Sequence, residues 1–356
     1  MKHGKDSNVP HKKMTTENTI IELRSDTFTK PTPEMHAAMV NAAVGDDVFS
    51  EDPSVNELES KSAQMFGMEA ALFCPSGTMT NQIAINVHTQ PGDEVICEEG
   101  SHIYYYEGGG IGRNSGCQAR LIKGNRGQIT AQQILEFINP DDVHRARTRL
   151  VSLENTCNRG GGSCYDMSEI AAIKNLCIEQ GLKLHLDGAR LMNAIVAKNT
   201  NPLEYGQLFD SISLCLSKGL GAPIGSVLLG TKAFIKEARR VRKVMGGGMR
   251  QAGFLASAGT YALENHVSRL AEDHRLAALL GTTLDQLNWV ESVLPVETNI
   301  VIFKVNEQYT VKQVSDYLAS HNIRVLAMSS TQIRMVTHLD VTPDMVDFVI
   351  EKLRNF

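Results

Sequence analysis

Two short apolar runs, each closing on a charged residue and a glycine, constrain this chain of 356 residues more than any other feature. One is Leu182-Lys-Leu-His-Leu-Asp187-Gly188-Ala189-Arg190, and the other is Ser211-Ile-Ser-Leu-Cys-Leu-Ser217-Lys218-Gly219. Runs of this kind read as strands buried on both faces. Further runs at 70–73, 94–97, 149–154 and 225–229 alternate with helical patterns at 78–88 and 170–180. The alternation predicts an α/β chain with a mainly parallel sheet and helices on both faces. In such sheets ligands gather at the carboxyl ends of the strands, where Asp187 and Lys218 fall.

The last third reads differently. Residues 261–286 carry Leu263, Val267, Leu270, His274 and Ala277 at helical spacing, which predicts one long helix. Strands follow at 299–305, 323–327 and 332–337, with helices at 311–321 and 343–353. The expected organisation is a disordered tail over 1–19, an N-terminal arm over 20–45, a large domain over 46–265 and a small α+β domain over 266–356. Hydrophobic residues make up 42% of the chain, enough for a sizeable core in each.

Charge and cysteine content narrow the function classes. Thirty-five Lys and Arg stand against 40 Asp and Glu, a net charge of -5 that argues against nucleic-acid backbone binding. No apolar run reaches the roughly 20 residues of a membrane span. The polar start lacks the apolar core of a signal peptide. Seven cysteines without a Cys-x-x-Cys pair suggest neither a disulfide scaffold nor a zinc site. A reduced cytoplasmic protein without a bound metal is the simplest expectation.

Five segments can carry chemistry, each with a plainer reading beside it. Lys218 at a strand end, followed by small residues, can approach a carbonyl cofactor as a Schiff-base amine, or it is an ordinary surface lysine. Asp187 is a turn former, or a carboxylate that keeps a pyridine nitrogen protonated, with Arg190 beside it for an anion. Two successive strand ends presenting an acid and an amine strengthen both functional readings. Ser76-Gly77-Thr78 opens a helix and suits a phosphate, or is a plain cap. His102, among Tyr104, Tyr105 and Tyr106, is a packed histidine or a ring that stacks on a cofactor and handles protons. The basic run from Arg239 to Arg250, with Lys243 and a triple glycine inside it, is a solvated helix face or an anion clamp.

Taken together the segments resemble the low-specificity L-threonine aldolases, pyridoxal-phosphate enzymes of the aspartate aminotransferase fold type. The resemblance runs through Leu23-Arg24-Ser25-Asp26-Thr27, Gly45-Asp46-Asp47-Val48, Leu186 to Arg190, Ser217-Lys218-Gly219, Gly246 to Gly253 and Arg334 to His338, and covers essentially 20–356. It implies a seven-stranded-type sheet. It implies pyridoxal 5'-phosphate held by Lys218, with Asp187 at the ring nitrogen, His102 stacked on the ring, and Gly77 and Thr78 on the phosphate. Lys243 and Arg250 would come to the phosphate from a neighbouring subunit of a homotetramer. Ser25, Arg190 and Arg334, with His102, would bind the substrate. The implied reaction is retro-aldol cleavage of threonine, allo-threonine and other β-hydroxy-α-amino acids to glycine and an aldehyde. The alternative on the same fold is β-elimination or transamination. Two positions depart from the family pattern. Cys157 stands where many relatives carry histidine, which leaves the base at the β-hydroxyl open, and Phe49 stands where tyrosine is common.

Overall fold

The computed structural model describes residues 19–356, so the expected tail over 1–19 lies, apart from Thr19, outside the described residues. After a short β1 (Ile21–Glu22) come β2 (Ala70–Cys74), β3 (Glu94–Glu98), β4 (Gln118–Ile122), β5 (Thr148–Glu154), β6 (Lys183–Gly188), β7 (Ser211–Cys215) and β8 (Ser226–Gly230). The last seven form one sheet in the order β2-β8-β7-β6-β5-β3-β4. Strands β4, β3, β5, β6 and β7 are parallel, while β8 runs against both of its neighbours. The expected mainly parallel, seven-stranded α/β sheet is therefore present. Every residue of β7 and β8 is buried, as central strands beneath helices require. Strand β4 has no counterpart in the sequence reading. It lies at the sheet edge, with Gln118 exposed and the next three residues half-buried, so it lacks a continuous apolar run.

A second, antiparallel sheet follows. It is built from β9 (Val290–Val293), β10 (Ile300–Val305), then, beyond β11 (Ile323–Arg324), β12 (Leu326–Ala327) and β13 (Gln332–Val336), in the order β12-β13-β10-β9. Leu276, Trp289, Phe303, Val314 and Met335 form its core with the flanking helices.

Two expectations are corrected here. The single helix over 261–286 is two, Gly253–Asn265 and Leu270–Leu284. At the break His266 turns inward and its Nδ1 donates to the Leu220 carbonyl at 2.7 Å, a tertiary contact that helical spacing does not reveal. The strand over 323–327 is likewise split. Strand β11 pairs in parallel with β1, whereas β12 pairs antiparallel with β13. Strands β1 and β11 form a two-stranded sheet of their own, and the arm reaches the second sheet where the Leu23 carbonyl accepts the Val336 N–H at 2.8 Å, with the Leu23 side chain buried in that sheet's core.

Helix starts position the site. Ser76 Oγ accepts the Met79 N–H at 3.2 Å, opening the helix Gly77–His88 directly after β2. Asp52 caps Pro53–Phe66 and also accepts the N–H groups of Gly45 (3.2 Å) and Gly253 (2.9 Å), fixing three segments at one carboxylate.

His185, on β6, is fully buried, and burial pulls its ring down to about 3. Between that value and the usual 6.5 the unfolded chain binds the extra proton, so stability falls as pH drops through 6.5. From pH 7 to 5 this one group should cost about 2 kcal/mol. Urea unfolding at both pH values checks it: His185→Gln should lose less stability than the parent over that interval, and an equal loss would contradict the assignment.

Candidate functional site

The parallel strands deliver their last residues to one place. Strand β5 ends at Glu154, β6 at Asp187 and Gly188, and β7 at Cys215, three residues before Lys218. Two adjoining cavities open there. The smaller, about 130 Å3, is lined by Gly77, Thr78, Asn81, Asp187, Ser213, Cys215 and Ser217. The larger, about 210 Å3, is lined by Ser25, Tyr106, Glu154, Asn158, Arg190, Leu326, Met328 and Arg334. Thr27, His102, Ala189 and Lys218 belong to both, so the lysine and the histidine stand at the junction.

The Lys218 turn is held by its backbone. The Lys218 carbonyl accepts Thr29 Oγ1 at 2.9 Å and the Gly221 N–H at 2.8 Å. Asp187 is buried; its Oδ1 accepts the Ala189 N–H (3.1 Å) and its Oδ2 accepts Asn81 Nδ2 (2.9 Å). His102 opens a short helix, with its N–H on Glu154 Oε2 (2.7 Å) and its Nδ1 on Glu107 Oε1 (2.9 Å). Burial pulls the His102 ring down, but the Glu107 hydrogen bond and the charges of Asp187 and Glu107 outweigh it and raise its proton affinity. Burial, with the charge of Asp187, raises Glu154.

The larger cavity carries two arginines in different states. Arg190 is paired with Asp26: its Nε and Nη2 each donate at 2.7 Å, and both partners are buried. Burial alone would raise the Asp26 carboxyl, yet the Arg190 charge and hydrogen bonds hold it well below the usual carboxylate range. Arg190 Nη1 is left for Asn158 Oδ1 at 3.3 Å. Arg334 has no carboxylate partner among its hydrogen bonds. Its Nη1 donates to Asn158 Oδ1 (2.7 Å), its Nη2 donates to the Arg24 carbonyl (3.0 Å), and its Nε is buried without a partner. Burial, reinforced by the Arg190 charge, pulls it down to about 10. A buried, incompletely satisfied guanidinium at a cavity wall is suited to a carboxylate.

Of the residues singled out in the sequence, Ser25, Gly77, Thr78, His102, Asp187, Arg190, Lys218 and Arg334 all line one of the two cavities. Lys243 and Arg250 line neither. Lys243 is exposed, and the exposed Arg250 places Nη1 on Asp46 Oδ2 at 2.8 Å. The rest of that basic run divides: Arg242 is buried against Asp47 (2.8 Å) and the Phe73 carbonyl (2.6 Å), while Arg240 is exposed. Phe49 is 70% exposed. Cys157 also lines neither cavity. Its Sγ donates to the Glu154 carbonyl at 3.1 Å within the main core, and burial pushes the thiol well above its ordinary value.

Sequence reasoning missed Asp26, Asn81, Glu107, Glu154 and Asn158. All five lie in or beside segments already singled out for other residues, but only the folded chain shows their partners.

The residues present fit pyridoxal 5'-phosphate. The small cavity has an amine at one side, a buried carboxylate at another and a helix N-terminus at a third. Near that N-terminus Ser226 Oγ is buried without a partner, and a Cβ on Gly77 would stand only 3.3 Å from it, a close approach that favours glycine at this helix start.

The family model described as "Beta-eliminating lyase" matches residues 22–308. The low specificity L-threonine aldolase of Escherichia coli is 41% identical over 338 residues, covering 95% of this chain and 99% of the relative. That of Saccharomyces cerevisiae is 42% identical over 302 residues, covering 83% and 76%. Among solved structures, the Leishmania major threonine aldolase superposes with a TM-score of 0.82 at 20% identity, covering 94% of this chain and 99% of that one.

Proposed function

The chain belongs to the beta-eliminating lyase family, and on that premise, with near full-length low-specificity L-threonine aldolases among its relatives, we propose a threonine aldolase function for it. The reaction is cleavage of the Cα–Cβ bond of L-threonine or L-allo-threonine to glycine and acetaldehyde, with other β-hydroxy-α-amino acids as further substrates. The observation that carries this reading is the junction itself: Lys218 and His102 stand between a cavity holding Asp187 and one holding Arg334.

Pyridoxal 5'-phosphate, when bound, supplies the electron sink for the breaking bond. Lys218 would hold it through its amine, Asp187 would place a negative charge at its ring nitrogen, His102 would cover its ring, and Gly77 and Thr78 would hold its phosphate. Arg334 would bind the substrate carboxylate, helped by Ser25 and by the Nη1 edge of Arg190. Fixing the carboxylate orients the Cα–Cβ bond, which is most of what the protein contributes before chemistry. His102, whose proton affinity Glu107 raises, is the group assigned to carry the β-hydroxyl proton.

Lys243 and Arg250 are exposed, and so are Val244 and Phe254 on the same stretch and Val40, Val48 and Phe49 near the N-terminus. Such an apolar surface supports a homo-oligomer, and we assign a homotetramer in which both cations reach a neighbour's Gly77 and Thr78. The seven free, buried thiols support a reducing, cytoplasmic setting. Among the described residues no helix is long and apolar enough to cross a membrane. We divide the chain into an arm over 20–45, a large domain over 46–265 and a small domain over 266–356.

Acetaldehyde release from L-threonine and, separately, L-allo-threonine by the pyridoxal-phosphate-loaded protein tests the function. Release from either is expected. Ammonia and a keto acid, without aldehyde, would move the assignment to β-elimination. A second expectation concerns the departure at 157. Because the Cys157 thiol faces the core, Cys157→Ala should cost about 1 kcal/mol of stability and leave the ratio of activities on the two diastereomers unchanged. A severalfold change in that ratio would show that the position reads the hydroxyl.

A further inference from the structure

A line of hydrogen bonds runs through the sheet behind Asp187. Asn81, 1% exposed, donates through Nδ2 to Asp187 Oδ2 at 2.9 Å and to Glu107 Oε1 at 3.0 Å. Both of its N–H bonds are thereby used, and its Oδ1 turns the other way, to His185 Nε2 at 3.1 Å. An amide oxygen can only accept, so Nε2 of His185 carries the hydrogen. Burial keeps that ring neutral at pH 7, which leaves Nδ1 as an acceptor. Ser211 Oγ lies 2.8 Å from Nδ1 and donates to it. Ser211 Oγ in turn accepts from His88 Nε2 at 2.8 Å. Every donor in the line points toward the two carboxylates, and those carboxylates dictate the tautomer of each ring.

We propose that His185 is a positioning residue for Asp187: by holding the Asn81 oxygen it keeps both Asn81 N–H groups on the carboxylates, and so fixes the charge that Asp187 offers to the cofactor. The proposal rests on the reading that Asp187 faces the ring nitrogen. Residues 185 and 187 share one face of β6, so the strand itself brings the imidazole and the carboxylate to opposite ends of the same amide. Without the His185 N–H, Asn81 loses its reason to prefer one orientation. Its oxygen can then turn onto a carboxylate, and Asp187 answers by rotating or by taking a proton.

The test titrates the apoprotein of each variant with pyridoxal 5'-phosphate and follows the dissociation constant and the pH midpoint of the visible absorption band. Asp187→Asn is the reference and should lose affinity and move the midpoint. His185→Phe should weaken binding about ten- to hundredfold, the worth of one hydrogen bond to a charged group, and move the midpoint in the same direction. His185→Gln, whose amide can still donate to Asn81, should recover most of both. If His185→Phe binds and titrates like the parent while Asp187→Asn does not, His185 has no positioning role. Should Asp187→Asn itself behave like the parent, the reading of Asp187 fails and the proposal falls with it. Where thermal melting shows that His185→Phe does not fold, Asn81→Leu replaces it, and parental affinity in that variant overturns the proposal.

Discussion

Lys218→Ala is expected to abolish the visible absorption of the bound cofactor and to lower turnover by more than about 10³-fold. The residue is assigned the covalent hold on the cofactor, and losing the electron sink should cost at least as much as losing general acid–base help, which is worth about 10²–10⁴-fold. The fold should tolerate the change. The Lys218 carbonyl, which the substitution keeps, anchors the turn to Thr29 and Gly221. Circular dichroism and melting temperature should therefore match the parent while the spectrum and the rate do not. An unaltered visible band in the variant would remove Lys218 from the reaction.

Breaking the Asp26–Arg190 pair should have the largest effect on stability. Asp26 is fully buried and Arg190 is 5% exposed, so Asp26→Ala leaves a guanidinium without its partner inside the protein. Loss of one member of a buried pair costs about 3–5 kcal/mol. The same change frees Arg190 near Arg334, whose proton affinity its charge already lowers, so the KM for threonine should rise along with the loss of stability. A pH signature separates the charge from the shape. Asp26 is held below its unfolded value, so its contribution is complete above about pH 4 and is lost as pH falls further. The parent should therefore lose stability below pH 4 more steeply than Asp26→Asn. Urea midpoints across that range decide it, and a loss under about 1 kcal/mol in Asp26→Ala at pH 7 would show that the pair is not a structural bolt.

What could be read in the sequence follows from physical range. Lys218 and Asp187 were legible because strand, charge and glycine are neighbours in the chain, and a parallel sheet sends such ends to one side. The partner of Arg190 was not legible, since Asp26 lies 164 residues away. The inward turn of Cys157 was hidden for a related reason. Whether a side chain enters a cavity or the core depends on the bend that carries it, and residue type does not report that. The break at His266 is a third case: its cause is the Leu220 carbonyl, while the apolar spacing continues across it undisturbed. Edge strand β4 escaped because only its last residue, Ile122, is fully buried.

The pairing of β1 with β11 has a consequence for the order in which the protein can come into being. Ser25 and Asp26 lie on a strap that, beyond Arg190 and the Lys218 carbonyl, takes its remaining partners very late. Arg334 meets the Arg24 carbonyl across 310 residues of chain, and His338 meets the Glu22 carbonyl across 316. A chain leaving the ribosome can complete all seven strands of the large sheet while its first strand still waits unpaired. Loops of this length close slowly, and the contact that ends the wait is made near the last stage of synthesis. A nascent chain halted before residue 323 would thus have every strand end of the cofactor side in place and still lack Arg334, the main grip on an amino acid.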